Sequence, residues 1–475
     1  MIKQAEKLTK KGEFEEAEKI LRRVLKVSPE EAKAKLVLGS LLLKQRRLSE
    51  AYELSLQVAQ ADPLNSQAFA VLGAALLGSG NFEEARLSFN NSLTLDKRQA
   101  LAWAGLGMLF FYENRIPESL DRLREAVYQD PDEPDYVFAL GQVSARAERY
   151  REAAEAYDKF LRIALSYDDE RRERIRGLIR FLRFLGNKSS LYNLGGEKQT
   201  IIPMQLIGNR PVIQLRVNKS DEPLNFVLDT GSGISVISNQ TAERLGIKPI
   251  TKGGLARALG GDGKFEIVYG FLKSVYIGDV KVKNVPVYIR EFHHTTQRID
   301  GYIGISLISK FLTTVDYGEK TFSLTRKEMV ENADLQPDAL SLQLRLTSSG
   351  FLSGRVQVEG VEAPLNFIVD TGASISVISD DLASSKEISP YVNDEKMRVI
   401  GAAGVTEDVP SFLLPRVTFG NHSRDSLKAI ALDLDLINEA SGFEQAGILG
   451  GNFLKDYRLT FDFENSKVVF VPIRK

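Results

Sequence analysis

The segment Pro223-Leu-Asn-Phe-Val-Leu-Asp229-Thr-Gly-Ser-Gly-Ile-Ser-Val-Ile-Ser238 returns 141 positions later as Pro364-Leu-Asn-Phe-Ile-Val-Asp370-Thr-Gly-Ala-Ser-Ile-Ser-Val-Ile-Ser379, identical at 12 of 16 residues. No other feature constrains the fold as tightly. Two near copies of one segment imply two lobes of one architecture about a pseudo-two-fold axis. The copies also match at their far ends: Tyr302-Ile303-Gly304 with Leu307, Ile308 and Phe311 answers Ile448-Leu449-Gly450 with Phe453, Leu454 and Tyr457 at a spacing of 146. With 146 there against 141 at the first motif, about five residues are inserted in the second copy, and the lobes span 199–326 and 340–475.

Within the lobes the apolar pattern has a period of 2. Runs at 201–206, 212–217 and 224–228 are broken by Gly208-Asn209-Arg210-Pro211 and Asp221-Glu222-Pro223, and runs at 342–346, 352–358 and 365–369 repeat them. Such alternation between turn residues predicts two all-β lobes.

The first 165 residues follow a different rule, a constant period of 34. Gly39, Gly73, Gly107 and Gly141 share one phase, Ala17, Ala51, Ala85, Ser119 and Ala153 a second, and Phe14, Leu48, Phe82, Ile116 and Tyr150 a third. Pro29, Pro63 and Pro131 close their units, with Lys97 in place of a fourth proline. Small residues at fixed phases let paired antiparallel helices pack closely, which predicts an all-α solenoid over 1–165. The pattern resembles the tetratricopeptide repeat, with Trp103 at its aromatic position, over about five units of which the first lacks its opening residues. The stretch 166–198 reads as a capping helix and a linker. Ile175, Leu178, Ile179, Leu182 and Leu185 form one apolar stripe, with Arg171, Arg172, Arg174, Arg176, Arg180 and Arg183 on a solvated face. Asn187, Ser189, Ser190, Asn193, Gly195 and Gly196 then mark the linker.

Composition excludes several classes. At 475 residues the length suits about three domains, and 62 Lys plus Arg against 63 Asp plus Glu gives no global attraction to nucleic acid or anionic lipid. No apolar run approaches the ~20 residues of a membrane span. Zero cysteine removes disulfides, a thiol nucleophile and thiolate metal sites. The expectation is a soluble chain, in the cytoplasm or exported behind a signal that is no longer attached. His293 and His294 stand together and His422 far off, without metal-ligand spacing, so neither a metal nor an organic cofactor is expected. No G-x-S-x-G, P-loop or dinucleotide fingerprint appears.

Two apolar residues before Asp-Thr-Gly, then a distant apolar-apolar-Gly before a short helix, resemble the retropepsin-like aspartic proteases, and the resemblance covers both lobes. It implies that Asp229 and Asp370 form a catalytic dyad, that Thr230 and Thr371 brace the loop of the opposite lobe, and that Gly231 and Gly372 make the turn. The first copy departs with Ser232-Gly233 where the second has Ala373-Ser374, and Gly233 is expected to loosen its loop. Two carboxylates about 3 Å apart share one proton, so one activates water for attack on a peptide carbonyl while the other protonates its oxygen. The glycine-rich turns with Gly260, Gly261 and Gly263, and with Gly401 and Gly404, follow the family's order for flaps over the substrate.

The resemblance therefore implies a multidomain chain, a tetratricopeptide-repeat solenoid followed by two retropepsin-like acid-protease lobes, as in bacterial fusions of this kind. The expected activity is that of an aspartic endopeptidase, its repeats binding a protein partner or a substrate. The competing reading is an inactive peptide-binding adaptor. Members of this family usually complete the site by homodimerising, but a tether of about 13 residues, 327–339, favours pairing of the two lobes within one chain.

Overall fold

The computed structural model describes residues 1–164, 169–188, 190–261, 263–292, 298–329 and 340–473. Asp168, Ser189, His293, His294 and residues 330–339 of the tether lie outside them. The chain divides into two compact units, Met1–Gly186 and Asn187–Lys475.

The first unit is a solenoid of paired helices. Its second helices begin at Phe14, Leu48, Phe82, Ile116 and Tyr150, so the apolar phase of the repeat marks the entry of each. The glycine phase lies midway along the first helices, where Gly73, Gly107 and Gly141 face a large side chain of the second and Gly39 faces Val71 of the next repeat. A Cβ at Gly107, for example, would stand 2.7 Å from Leu123 Cγ. Residues 12, 46, 80, 114 and 148 all adopt positive φ, between 58° and 79°, where the chain turns between helices. Gly12, Gly80 and Asn114 suit that conformation, whereas Arg46 and Glu148 adopt it against their preference. The helix Asp169–Gly186 seals the end, burying Ile175, Ile179 and Leu182 on Tyr157 and Phe160. Its Arg172 also donates to Leu161 O at 2.9 Å and Ala164 O at 2.7 Å, satisfying carbonyls at the end of the preceding helix.

The second unit holds the two lobes. One correction falls at its start: Asn193–Gly196, read as linker, is a strand paired with 280–283 of lobe 1. Pairing through the backbone alone is open even to a glycine-rich edge. A second difference is that the apolar run 342–346 breaks at Leu344, its halves Leu340–Gln343 and Arg345–Leu346 joining different partners.

Six strands run side by side between the lobes: Leu340–Gln343, Lys467–Pro472, Tyr457–Asp462, Phe311–Asp316, Thr321–Arg326 and Gln199–Ile207. At its centre Thr314 pairs with Thr460, the residue 146 positions on, their hydroxyls 3.0 Å apart. The pseudo-two-fold axis passes there. Phe311, Phe322, Phe461 and Phe470, all fully buried, fill this sheet's core.

Candidate active site

Each aspartate follows a buried strand, Leu224–Leu228 or Leu365–Val369, parallel to the short strand Gly301–Ile303 or Gly447–Leu449. After the loop the chain returns as Val236–Ser238 or Ser376–Ser379 on the other flank of that short strand. A loop anchored this way has little freedom. Asp229 N–H donates to Ile303 O and Asp370 N–H to Leu449 O, each at 3.0 Å. Behind them the N–H groups of Gly304 and Gly450 donate to the hydroxyls of Ser235 and Ser376, each at 3.1 Å. Sequence reasoning passed over these serines, although the repeated Ile-Ser-Val contains both.

The two loops are braced crosswise. Thr230 Oγ1 donates to Val369 O at 2.7 Å and accepts from Thr371 N–H at 3.0 Å; Thr371 Oγ1 donates to Leu228 O at 2.7 Å and accepts from Thr230 N–H at 3.2 Å. With exposures of 1% and 0%, neither hydroxyl has water to turn to, so the four bonds hold the lobes together.

Asp229 and Asp370 meet beneath this brace, close enough to share a donor. Gly231 N–H donates to both, at 2.9 Å to Asp229 Oδ1 and 3.2 Å to Asp370 Oδ1, and Gly372 N–H donates to Asp370 Oδ1 at 2.7 Å. Only glycine fits here. A Cβ at Gly231 would overlap the Asp370 carboxyl, and one at Gly372 would stand 2.6 Å from Asp229 Oδ1. Burial pushes both carboxyls above the usual range, and at Asp229 the neighbouring charge of Asp370 acts in the same direction.

Gly233 leaves room for a neighbour. A Cβ there would overlap Ser349 O in a turn of lobe 2. The corresponding contact across the axis is different: Asn209 of lobe 1 donates from Nδ2 to Ser374 O at 3.2 Å.

The glycine-rich turns join the hairpin strands Thr251–Arg257 and Lys264–Ile277 in lobe 1, and Val392–Ile400 and Val405–Phe419 in lobe 2. Their tips meet. Ala403 N–H donates to Leu259 O at 3.0 Å, and a Cβ at Gly261 would stand 2.7 Å from Ala403 O, while those at Gly260, Gly401 and Gly404 would also strike the opposite tip. Gly263 instead donates to Gly260 O at 3.0 Å and closes its own turn. Leu259 packs against the same buried cluster of lobe 2 as Ala373 and Ile375, which follow Asp370, so the lobe 1 tip reaches into lobe 2.

Asp300 and His422 lie in structural settings. Burial would raise Asp300, but bonds from Asn225 N–H, Thr241, Arg244 and Arg298 hold it below the usual range. His422 lies in a strand against the rings of Tyr457 and Phe470. Among the described residues no group of three or more His, Asp or Glu could hold a metal, and no helix is long and apolar enough to cross a membrane.

Comparison with known families gives matches in both units. The aspartyl protease family matches twice, at 213–307 and 354–453, and two tetratricopeptide repeat families match 8–75 and 104–167. The chain is a tetratricopeptide-repeat array fused to two tandem segments of the aspartyl protease family. Similar solved structures include a thermophilic tetratricopeptide-repeat protein of Thermus thermophilus, 20% identical over 38% of this chain and 97% of that one with a TM-score of 0.33. Others are MamA, at 19% over 34% and 94% with 0.25, and pilF of Pseudomonas aeruginosa, at 17% over 39% and 85% with 0.29. No curated protein matches the chain.

Proposed function

We propose that the protein is an aspartic endopeptidase with Asp229 and Asp370 as its dyad. The observation that carries this reading is the pair of braced loops that press two carboxyls together beneath shared N–H donors. Like charges this close cannot both ionise, so the pair keeps one proton over a middle pH range. Asp370 accepts from Gly231 and Gly372, whereas Asp229 accepts from Gly231 alone, so the anion rests better on Asp370 and the proton on Asp229. Asp370 takes a proton from the bound water as its oxygen attacks the peptide carbonyl carbon. Asp229 gives its proton to the carbonyl oxygen, and a gem-diol forms. Collapse of that intermediate breaks the C–N bond, with a proton passing to the leaving nitrogen. The meeting flap tips close over the bound chain and exclude bulk water. Tetratricopeptide repeats suggest protein–protein interaction, and here they recruit a partner or a protein substrate.

Peptide hydrolysis by the full chain, with and without pepstatin, tests the reading. Cleavage that pepstatin blocks is expected; binding of peptides with no cleavage at any pH would make the protein an adaptor.

A further inference from the structure

The two halves of the cleft use matching positions for different chemistry. Ser238 pairs with Arg290 in lobe 1 in the register that pairs Ser379 with Leu432 in lobe 2, so Arg290 answers Leu432. Likewise Val227 pairs with Tyr302 as Ile368 pairs with Ile448. On the lobe 2 side, partly buried Leu432, Ile437 and Val399 pack on a buried core that holds Leu434 and Ile448. The lobe 1 side is a cation set among rings. Arg290 Cζ lies 5.2 Å from the ring centre of Phe292, 5.7 Å from Phe265 and 5.8 Å from Tyr302, and all three rings are partly exposed.

The guanidinium stands between the dyad and the opposite flap. Its Nη1 donates to Ala402 O at the lobe 2 tip, at 2.6 Å, and its charge is felt by Asp229. A guanidinium carries five N–H donors. Among the described residues no other acceptor and no carboxylate takes the remaining ones, and none of its nitrogens is sealed from solvent without a partner. Ring faces suit the flat cation and the methylenes of an incoming side chain, and the free edge of the fork suits a carboxylate.

We propose that Arg290 is a specificity-determining residue: the lobe 1 half of the cleft accepts an Asp or Glu side chain of the substrate, and the lobe 2 half an aliphatic one. This rests on the peptidase reading. The acidic side chain lies against the Phe265, Phe292 and Tyr302 rings with its carboxylate on the guanidinium edge. The favoured cleavage site then has unlike residues on its two sides, as the unlike lobes require.

The test uses the full chain and one peptide scaffold carrying Glu, Gln, Leu or Lys in turn at each position flanking the scissile bond. kcat/KM is measured on the parent protein, Arg290→Met and Arg290→Glu, and Kd on Asp370→Asn. At one position Glu should exceed Gln at least about tenfold in the parent, a ratio that Arg290→Met should bring to within about twofold and Arg290→Glu should turn toward Lys. Equal treatment of Glu and Gln by the parent protein overturns the proposal with no variant needed, as does an unchanged ratio in Arg290→Met. If nothing is cleaved but Asp370→Asn binds the Glu peptide more tightly than the Gln peptide, the subsite stands and the peptidase reading falls. Cleavage without any acidic preference has the reverse meaning.

Discussion

A carboxyl held above its ordinary pKa binds its proton more tightly in the folded than in the unfolded chain. Asp229 and Asp370 are both in that position, above the ordinary 3.8, so folding loses stability as pH rises from there through the raised range. Asp229→Asn removes an ionisable member of the pair without changing its shape. It should abolish hydrolysis and yet stabilise the fold near neutral pH by about 1–2 kcal/mol, with the gain fading below about pH 4. Thermal unfolding across that range reads the effect, and a Tm difference independent of pH would contradict it. The same shared proton predicts a bell-shaped pH–rate profile whose limits belong to the pair. A rate still climbing above neutral pH would point to another nucleophile. At this scale the sequence was highly legible where chemistry is strung along one segment, as in Asp-Thr-Gly. Arg290 was not legible, because its meaning depends on a hairpin tip 112 residues away and on a comparison with Leu432 that only strand register supplies.

Among the elements, the turns that reach across the axis decide how the lobes pair. Gly233 leaves room for Ser349 O, so Gly233→Ser should force that turn away and loosen the cleft. We expect kcat/KM to fall at least about tenfold, and stability to drop by about 1–3 kcal/mol, as for overpacking at a tight contact. Unchanged values for both would show that the turn yields freely. Gly401→Ala tests whether the hairpin tips act as flaps: its methyl would strike Leu259 O, so hydrolysis should suffer while Tm barely moves. Helices and strands were readable because each carries its own period, down to the residues that open the second helices. The strand Asn193–Gly196 was not, since its partner, not its composition, makes it a strand. Nor did Arg46 and Glu148 announce left-handed turns, which only the phase shared with Gly12 and Gly80 exposes.

For the whole molecule, unlike contacts argue against self-pairing lobes. Two copies of lobe 2 would set the Ser374 side chain against a Ser349 carbonyl, the approach that Gly233 alone permits in the pairing seen. Mixing Asp229→Asn with Asp370→Asn protein under conditions of exchange should therefore restore no activity, and rate per molecule should not change on dilution. Recovery on mixing would place the site between chains. Residues 187–475, a compact unit, should cleave short peptides alone while acting less well on a protein substrate. Equal loss on both would show that the repeats hold the lobes in order. The sheet between the lobes carries one more implication, which concerns time. Its central pairing joins Phe311–Asp316 to Tyr457–Asp462, and the outer strand Leu340–Gln343 waits for Lys467–Pro472. On a ribosome, where chains emerge at about 5–20 residues per second, the first aspartate is made many seconds before the strands that close this sheet. If the proposed dyad is the active site, a nascent chain has no complete one until the closing strands of the second lobe have been added, and the order of synthesis alone sets that delay.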